Sequence, residues 1–238
     1  EFSGVKYACF RNSKLQSCVA MTAFYIYKKI NIFKFIDYFF VLTEFQKNKI
    51  LELGVKKEKV IVKPNFNENS LVQNYQLKDK KDYIFVGRLE KSKGILELLN
   101  IWKMLDETYK LNVIGDGPLK EEILKLNLKN VIYLGKLENK KVLEEILKAK
   151  YLIQPSVWYE TFGLTIIEAF KCGTPVIGFD IGTRGNFITH GNTGFLAKDK
   201  KELKIMIENS LNYSKYNEMK ANCIEKSKEY SEEKVLKE

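Results

Sequence analysis

The sequence predicts an α/β protein built on a parallel sheet, and three features carry that prediction. Short β-type apolar runs alternate with segments of helical spacing through the second half of the chain. Gly94, Pro118 and Gly173 punctuate the junctions where a turn or a helix end is expected. A polar stretch without periodicity, residues 67–81, separates this half from a shorter first part.

In chain order, a helix is expected over 13–29 and a strand over 38–42. A second helix starts at Glu44, with Thr43 as its N-cap. A short strand at 60–62 ends before Pro64, and together these elements read as the end of a first α/β unit. Beyond the polar stretch, strands are expected at 83–86, 111–114, 131–134, 151–154 and 175–179. Helices fall between them at 94–107, 118–128, 139–149 and 163–172, which calls for a parallel sheet covered on both faces. The tail, 199–236, reads as two helices with Leu203, Ile207, Leu211 and Ile224 on the apolar face. The expected domains are therefore 1–66, a linker over 67–81, and 82–238.

Composition bounds the function. The 238 residues are 45% hydrophobic and 29% charged, which suits a globular protein with a sizeable core. The apolar runs at 19–27 and 35–42 are too short to span a bilayer, and the second contains Asp37. The chain starts at Glu1 and not at Met, so the expectation is a piece of a longer protein. The net charge of +10 is uneven: residues 1–72 hold 12 Lys and Arg against 6 Asp and Glu. A basic first part suits an anionic membrane surface or an anionic acceptor, and solvated lysine faces are the competing reading. The aromatic side chains fall in strand and helix segments and are not interleaved with basic residues, which argues against a nucleic-acid partner. Cys9, Cys18, Cys172 and Cys223 form no CxxC pair and His190 is the only histidine, so no metal site is expected. Scattered cysteines suit the cytoplasm, with peripheral contact at the inner face of the membrane left open.

A few residues carry chemistry. Gly87 ends the strand at 83–86 and Arg88 follows it, at the edge where open α/β sheets bind ligands. Arg88 offers a planar fork for two phosphate oxygens, and Lys93 adds a point charge. A charged loop before a helix is the competing reading of these two taken alone. The run Glu160-Thr161-Phe162-Gly163-Leu164-Thr165 opens a helix, whose first amides have no internal partner and favour an anion. Gly163 lets a ligand come close to that backbone. Glu168 sits in an almost wholly apolar helical run, where an ionised carboxylate is costly without hydrogen-bond donors. Two adjacent ribose hydroxyls would satisfy it. Glu160 lies eight residues earlier, at the helix mouth, so the two carboxylates can contact different parts of one extended ligand.

These strings resemble glycosyltransferase family 4, the retaining enzymes of the two-domain GT-B type. The resemblance runs through Phe85-Val86-Gly87-Arg88-Leu89 with Lys93-Gly94, Gly115-Asp116-Gly117-Pro118-Leu119 and Leu134-Gly135. It continues through Pro155-Ser156, Glu160-x7-Glu168-Ala169, Cys172-Gly173-Thr174-Pro175-Val176 and Gly191-x2-Gly194-Phe195-Leu196. Pro64-Asn65 is similar to the family's hinge signature. The resemblance implies two Rossmann-like domains: a complete C-terminal one that binds the donor, and part of an N-terminal one that faces the acceptor. It implies that Arg88 and Lys93 hold the donor diphosphate beside Gly87, that Phe162, Gly163 and Leu164 offer it backbone amides, and that Glu160 contacts the transferred sugar. Glu168 would bind the ribose, and Gly135, Lys136 and Leu137 would lie beside the base.

The implied reaction is sugar transfer from a UDP-type or GDP-type donor to a saccharide or lipid-linked acceptor, with retention of configuration and without metal or other cofactor. The chain departs from the family at Phe66, where many relatives have Gly after the hinge Asn. It departs again at Gly182-Thr183-Arg184-Gly185-Asn186, where many carry Glu and where Arg184 or Asn186 would alter local contacts. The family's glycine-rich acceptor loop and its histidine near the sugar have no counterpart, so this length of chain is expected not to turn over alone. An epimerase or phosphorylase on the same fold, or a non-catalytic nucleotide-binding subunit, are the competing functions.

Overall fold

The computed structural model describes residues 3–66 and 80–237. Most of the expected linker, residues 67–79, lies outside the described residues. The chain divides into two compact units. One takes the residues to Val41 together with Lys47–Val62, and the other takes Leu42–Gln46 and the chain from Lys63.

The first unit begins with α1 (Ser3–Lys6) and α2 (Lys14–Lys29). Ser13 caps α2 by accepting the Gln16 amide at 3.3 Å. Strands β1 (Phe39–Val41) and β2 (Val60–Val62) pair in parallel, Phe39 opposite Val60. Between them runs α3 (Glu44–Leu51), and the Thr43 hydroxyl accepts the Gln46 amide at 3.2 Å, the expected N-cap. The core here is small and centres on Val41, Val55 and Val60.

The second unit is a six-stranded, wholly parallel sheet in the order β5-β4-β3-β6-β7-β8. Its strands are β3 (Lys81–Val86), β4 (Leu111–Ile114), β5 (Val131–Gly135), β6 (Ala149–Gln154), β7 (Val176–Phe179) and β8 (Gly194–Ala197). Its helices are α4 (Ile95–Trp102), α5 (Lys120–Lys125), α6 (Asn139–Lys148), α7 (Leu164–Lys171), α8 (Arg184–Phe187), α9 (Lys200–Ser210), α10 (Tyr216–Ser227) and α11 (Glu232–Lys237). The side chains of β3 alternate between two hydrophobic clusters. Tyr83 and Phe85 join α4 and α9 on one face. Ile84 joins α6 and α7 on the other. A sheet buried on both faces needs continuous apolar strands, and these sequences supply them. The chain leaves β3 toward β4 and β5, then returns to β6 on the opposite side. That reversal makes β3 and β6 the switch point, the place where such sheets open a crevice.

The five strands and four helices expected in this half are all present, with shifted ends. Helix α4 stops at Trp102 because the following residues form a turn in which Asp106 accepts the Thr108 amide at 2.9 Å. Helix α5 is shorter than expected and is followed by Asn127 at φ +43°, a backbone state that stops a helix. Two elements were not expected: β8 is only four residues long, and α8 is a single turn. The tail forms three helices and not two, since α10 ends at Ser227 and α11 restarts after Ser231.

Candidate donor site

The C-terminal ends of β3, β4 and β5 surround a cavity of about 440 Å³, and Gly87, Arg88, Gly115, Asp116, Lys136 and Leu137 are among its walls. Glycine is required where the strand ends crowd. A Cβ on Gly115 (φ +148°) would lie 1.8 Å from the Gly87 carbonyl oxygen. Arg88 projects from this rim, and its Nη2 lies 3.5 Å from Glu90 in a solvated pair that holds it weakly. Gly135 ends β5 at φ +75° and turns the chain toward Lys136.

Lys93 and Glu160 meet beside the switch point. The Lys93 Nζ donates to both Glu160 carboxylate oxygens, at 2.8 and 2.9 Å, across 67 residues of sequence. The two loops that carry them are locked together by their backbones. The Val157 amide and the Ser156 hydroxyl both donate to the Ser92 carbonyl, at 3.1 and 3.0 Å. Gly94, at φ +69°, packs so closely that a Cβ there would lie 2.0 Å from the Pro155 carbonyl oxygen. The ion pair is therefore held by a fixed frame, and both partners are largely shielded from solvent.

Helix α7 opens from Gly163, whose φ of +114° makes the turn out of the Glu160 loop. The amides of Leu164 and Thr165 have no partner among the described residues, and the first bond inside the turn is Ile166 to the Gly163 carbonyl. Phe162 has its ring in the core, edge-on to Phe187 and Tyr230, so only its backbone is left to offer a ligand. Glu168 is half-buried between Ile167 and Ala169. Burial pushes its pKa above the ordinary carboxylate value, and the nearby Lys171 offsets part of that rise. Its carboxylate accepts no hydrogen bond among the described residues.

The structure thus brings Gly87, Arg88, Lys136 and Leu137 to one cavity and joins Lys93 to Glu160 in a neighbouring pair. Phe162, Gly163, Leu164 and Glu168 do not line the 440 Å³ cavity. They follow Glu160 along α7, and Leu164 borders a second cavity of about 320 Å³ that also touches Asn65 and Leu236. Sequence reasoning did not foresee the Lys93–Glu160 pair, because no local pattern relates the two loops. It singled out Arg184 only as a departure, and it missed Ser92, Ser156 and Thr183, which hold the Glu160 loop in place. A buried arginine in the turn after a central strand was the one local sign of that anchorage.

The family model described as glycosyl transferases group 1 matches residues 66–230. An uncharacterized 41.2 kDa protein in the cps region of Klebsiella pneumoniae is 35% identical over 176 residues, 72% of this chain and 46% of the relative. An uncharacterized glycosyltransferase of Methanocaldococcus jannaschii is 29% identical over 199 residues, 82% of this chain and 54% of the relative. The chain therefore spans about half the length of the curated relatives it matches. A crystal structure of TarM from S. aureus, in complex with fondaparinux, alpha-GlcNAc-glycerol and UDP, superposes with a TM-score of 0.72. It is 24% identical, and the match covers 84% of this chain and 42% of that one. The fold is the α/β, parallel-sheet architecture of GT-B glycosyltransferases. With its family match covering well over half of the chain, this protein belongs to the group 1 glycosyl transferases.

Proposed function

We propose that the chain is the donor-binding part of a retaining family 4 glycosyltransferase that moves a sugar from a nucleoside diphosphate to a saccharide or lipid-linked acceptor in glycan biosynthesis. The observation that carries this reading is the Lys93–Glu160 pair, fixed between the loop that follows β3 and the loop that opens α7. The division expected from the sequence, with 1–66 on the acceptor side and 82–238 on the donor side, belongs to the same proposal. A relative from a cps region and a structural neighbour bound to UDP support it.

The chemistry follows from charge. Breaking the bond between the anomeric carbon and the phosphate oxygen leaves negative charge on the diphosphate. On this reading Arg88, Lys93 and the free amides of α7 stabilise that charge, the task a metal performs in other enzymes. The reaction is therefore proposed to run without metal. Glu160 contacts the transferred sugar. Glu168 takes the ribose hydroxyls, and Lys136 and Leu137 lie beside the base.

Calorimetry with UDP, GDP and their glucose and mannose conjugates tests the reading. One base should bind in preference, and EDTA should not alter its affinity. Equal and negligible heats for all four probes would sink it.

A further inference from the structure

Arg184 opens α8 and is wholly buried, with 0% exposure. Its Nε donates to the Phe179 carbonyl and its Nη2 to the Ser156 carbonyl, both at 2.6 Å. Its Nη1 is buried without a hydrogen-bond partner among the described residues. Thr183, also 0% exposed, places its hydroxyl 3.2 Å from the Glu160 carbonyl and 3.3 Å from the Phe162 carbonyl. Three carbonyls of the 156–162 loop are thus tied to the turn that follows β7.

A sealed guanidinium is expensive to desolvate, and an aliphatic side chain could fill the same volume at lower cost. The charge therefore calls for a use. The carboxylates that offset its burial are Glu160 first and Asp180 second. Glu160 is thus ion-paired with Lys93 and also feels the charge of Arg184. Lys93 is on a flexible stem and partly exposed. Arg184 is fixed by two carbonyls.

On the donor reading above, a bound diphosphate draws Lys93 toward its oxygens. Glu160 then loses part of its ion pair with Lys93 just as a second anion arrives beside it. We propose that Arg184 is a positioning residue that holds Glu160 and its loop in place while Lys93 turns to the donor diphosphate. It acts through the loop backbone and through its fixed charge, and it touches neither sugar nor phosphate.

The test uses the full chain and two readouts. Trp158 is 66% exposed on this loop and Trp102 is sealed in the core, so the red edge of tryptophan emission reports Trp158. Arg184→Met should add a fast, wide-amplitude component to the Trp158 anisotropy decay. It should leave UDP affinity within about twofold but cut the affinity advantage of UDP-glucose over UDP at least about fivefold. Arg184→Lys keeps the charge and should recover part of that advantage. Should Arg184→Met not fold, Arg184→Lys is read alone, with looser Trp158 and UDP affinity still within about twofold. An unchanged Trp158 decay, or equal losses of UDP and UDP-glucose affinity, overturns the proposal. Failure of the parent chain to bind any nucleoside diphosphate overturns the donor reading instead, while the Trp158 decay still decides whether Arg184 holds the loop.

Discussion

On the proposed donor reading, Glu168 works against the empty protein and for the complex. Its carboxyl is pushed upward in pKa by burial, so its charged form is disfavoured in the folded state. The sign is fixed by linkage. Between the ordinary carboxylate value and the raised one, the folded chain holds more protons than the unfolded chain. Stability therefore falls as pH rises through that window. Glu168→Gln should raise the melting temperature of the ligand-free protein at pH 7, and the gain should vanish as the pH falls below about 4.5, where the carboxyl is protonated in both states. The same change should weaken nucleotide binding by roughly 1.5–3 kcal/mol, the scale of charge-assisted hydrogen bonds to the ribose. Calorimetry and thermal melting on one pair of samples would give both signs. A destabilised variant with unaltered nucleotide affinity would return Glu168 to the status of an ordinary surface carboxylate. Arg88 makes the opposite case: it is exposed and weakly paired, so Arg88→Ala should leave melting unchanged and lower the affinity for diphosphates about tenfold or more.

At the scale of elements, the site exists because strand ends and helix starts are forced together. Gly94→Ala should destabilise the chain by about 2 kcal/mol or more, since a Cβ at φ +69° would meet the Pro155 backbone at 2.0 Å, and backbone cannot swing aside. Denaturant unfolding measures it, and nucleotide affinity should fall along with stability, because Lys93 is the preceding residue. Lys80, just before β3, ties the sheet to the α6–β6 connection. Its Nζ donates to the Leu147 carbonyl at 2.6 Å and to the Thr174 hydroxyl oxygen at 2.7 Å. Burial pulls its pKa down to about 8. As pH rises from 8 toward the ordinary lysine value, the folded chain releases this proton first. The cost of charging it is then relieved, and stability rises by up to about 3 kcal/mol. The buried Cys172 thiol, pushed up to about 11, and the Tyr83 phenol, pushed up to about 12, work in the other direction above their ordinary values. The difference between the parent and Lys80→Met cancels most of that opposition, and this difference should grow between pH 8 and 10 in favour of the parent. A flat difference would mean that Lys80 is solvated through local opening.

The elements legible in the sequence were those whose own residues decide them: the apolar strands β3 to β7, and helices with a cap or a periodic face. Thr43 was readable as a helix start because capping is local. Strand β8 was not, because Gly194-Phe195-Leu196-Ala197 becomes a strand only by pairing with β7, Val176 opposite Gly194. The same division holds within the site. Arg88, Glu160 and Glu168 stood out by residue type in context. The Lys93–Glu160 pair and the Thr183–Arg184 anchorage join loops far apart in sequence, and only the sheet order brings them together.

Across the whole molecule the apolar cores are unequal, and this sets an order of opening. The second unit holds two extended clusters on the two faces of its sheet, with Trp102, Tyr83, Tyr151 and Phe170 among the wholly buried side chains. The first unit gathers around three buried valines, and the only buried residue of its longest helix is Ser17. Burial of apolar area at about 25 cal/mol per Å² is the main term that offsets chain entropy, so the first unit has far less to hold it shut. Hydrogen exchange should therefore proceed at two levels. The amides of α2, β1 and β2 should exchange through openings of low free energy. Those of β3, β4 and β6 should exchange only with global unfolding. Added denaturant should lower the protection of the first group little and that of the second steeply as the unfolding midpoint is approached. A saturating nucleoside diphosphate should slow exchange in β3, β6 and the start of α7 while leaving α2 unchanged, because a ligand stabilises only the unit that binds it. Equal slowing in both units would show that they open together, and the donor site would then have to be sought in a larger cooperative unit than the six-stranded sheet.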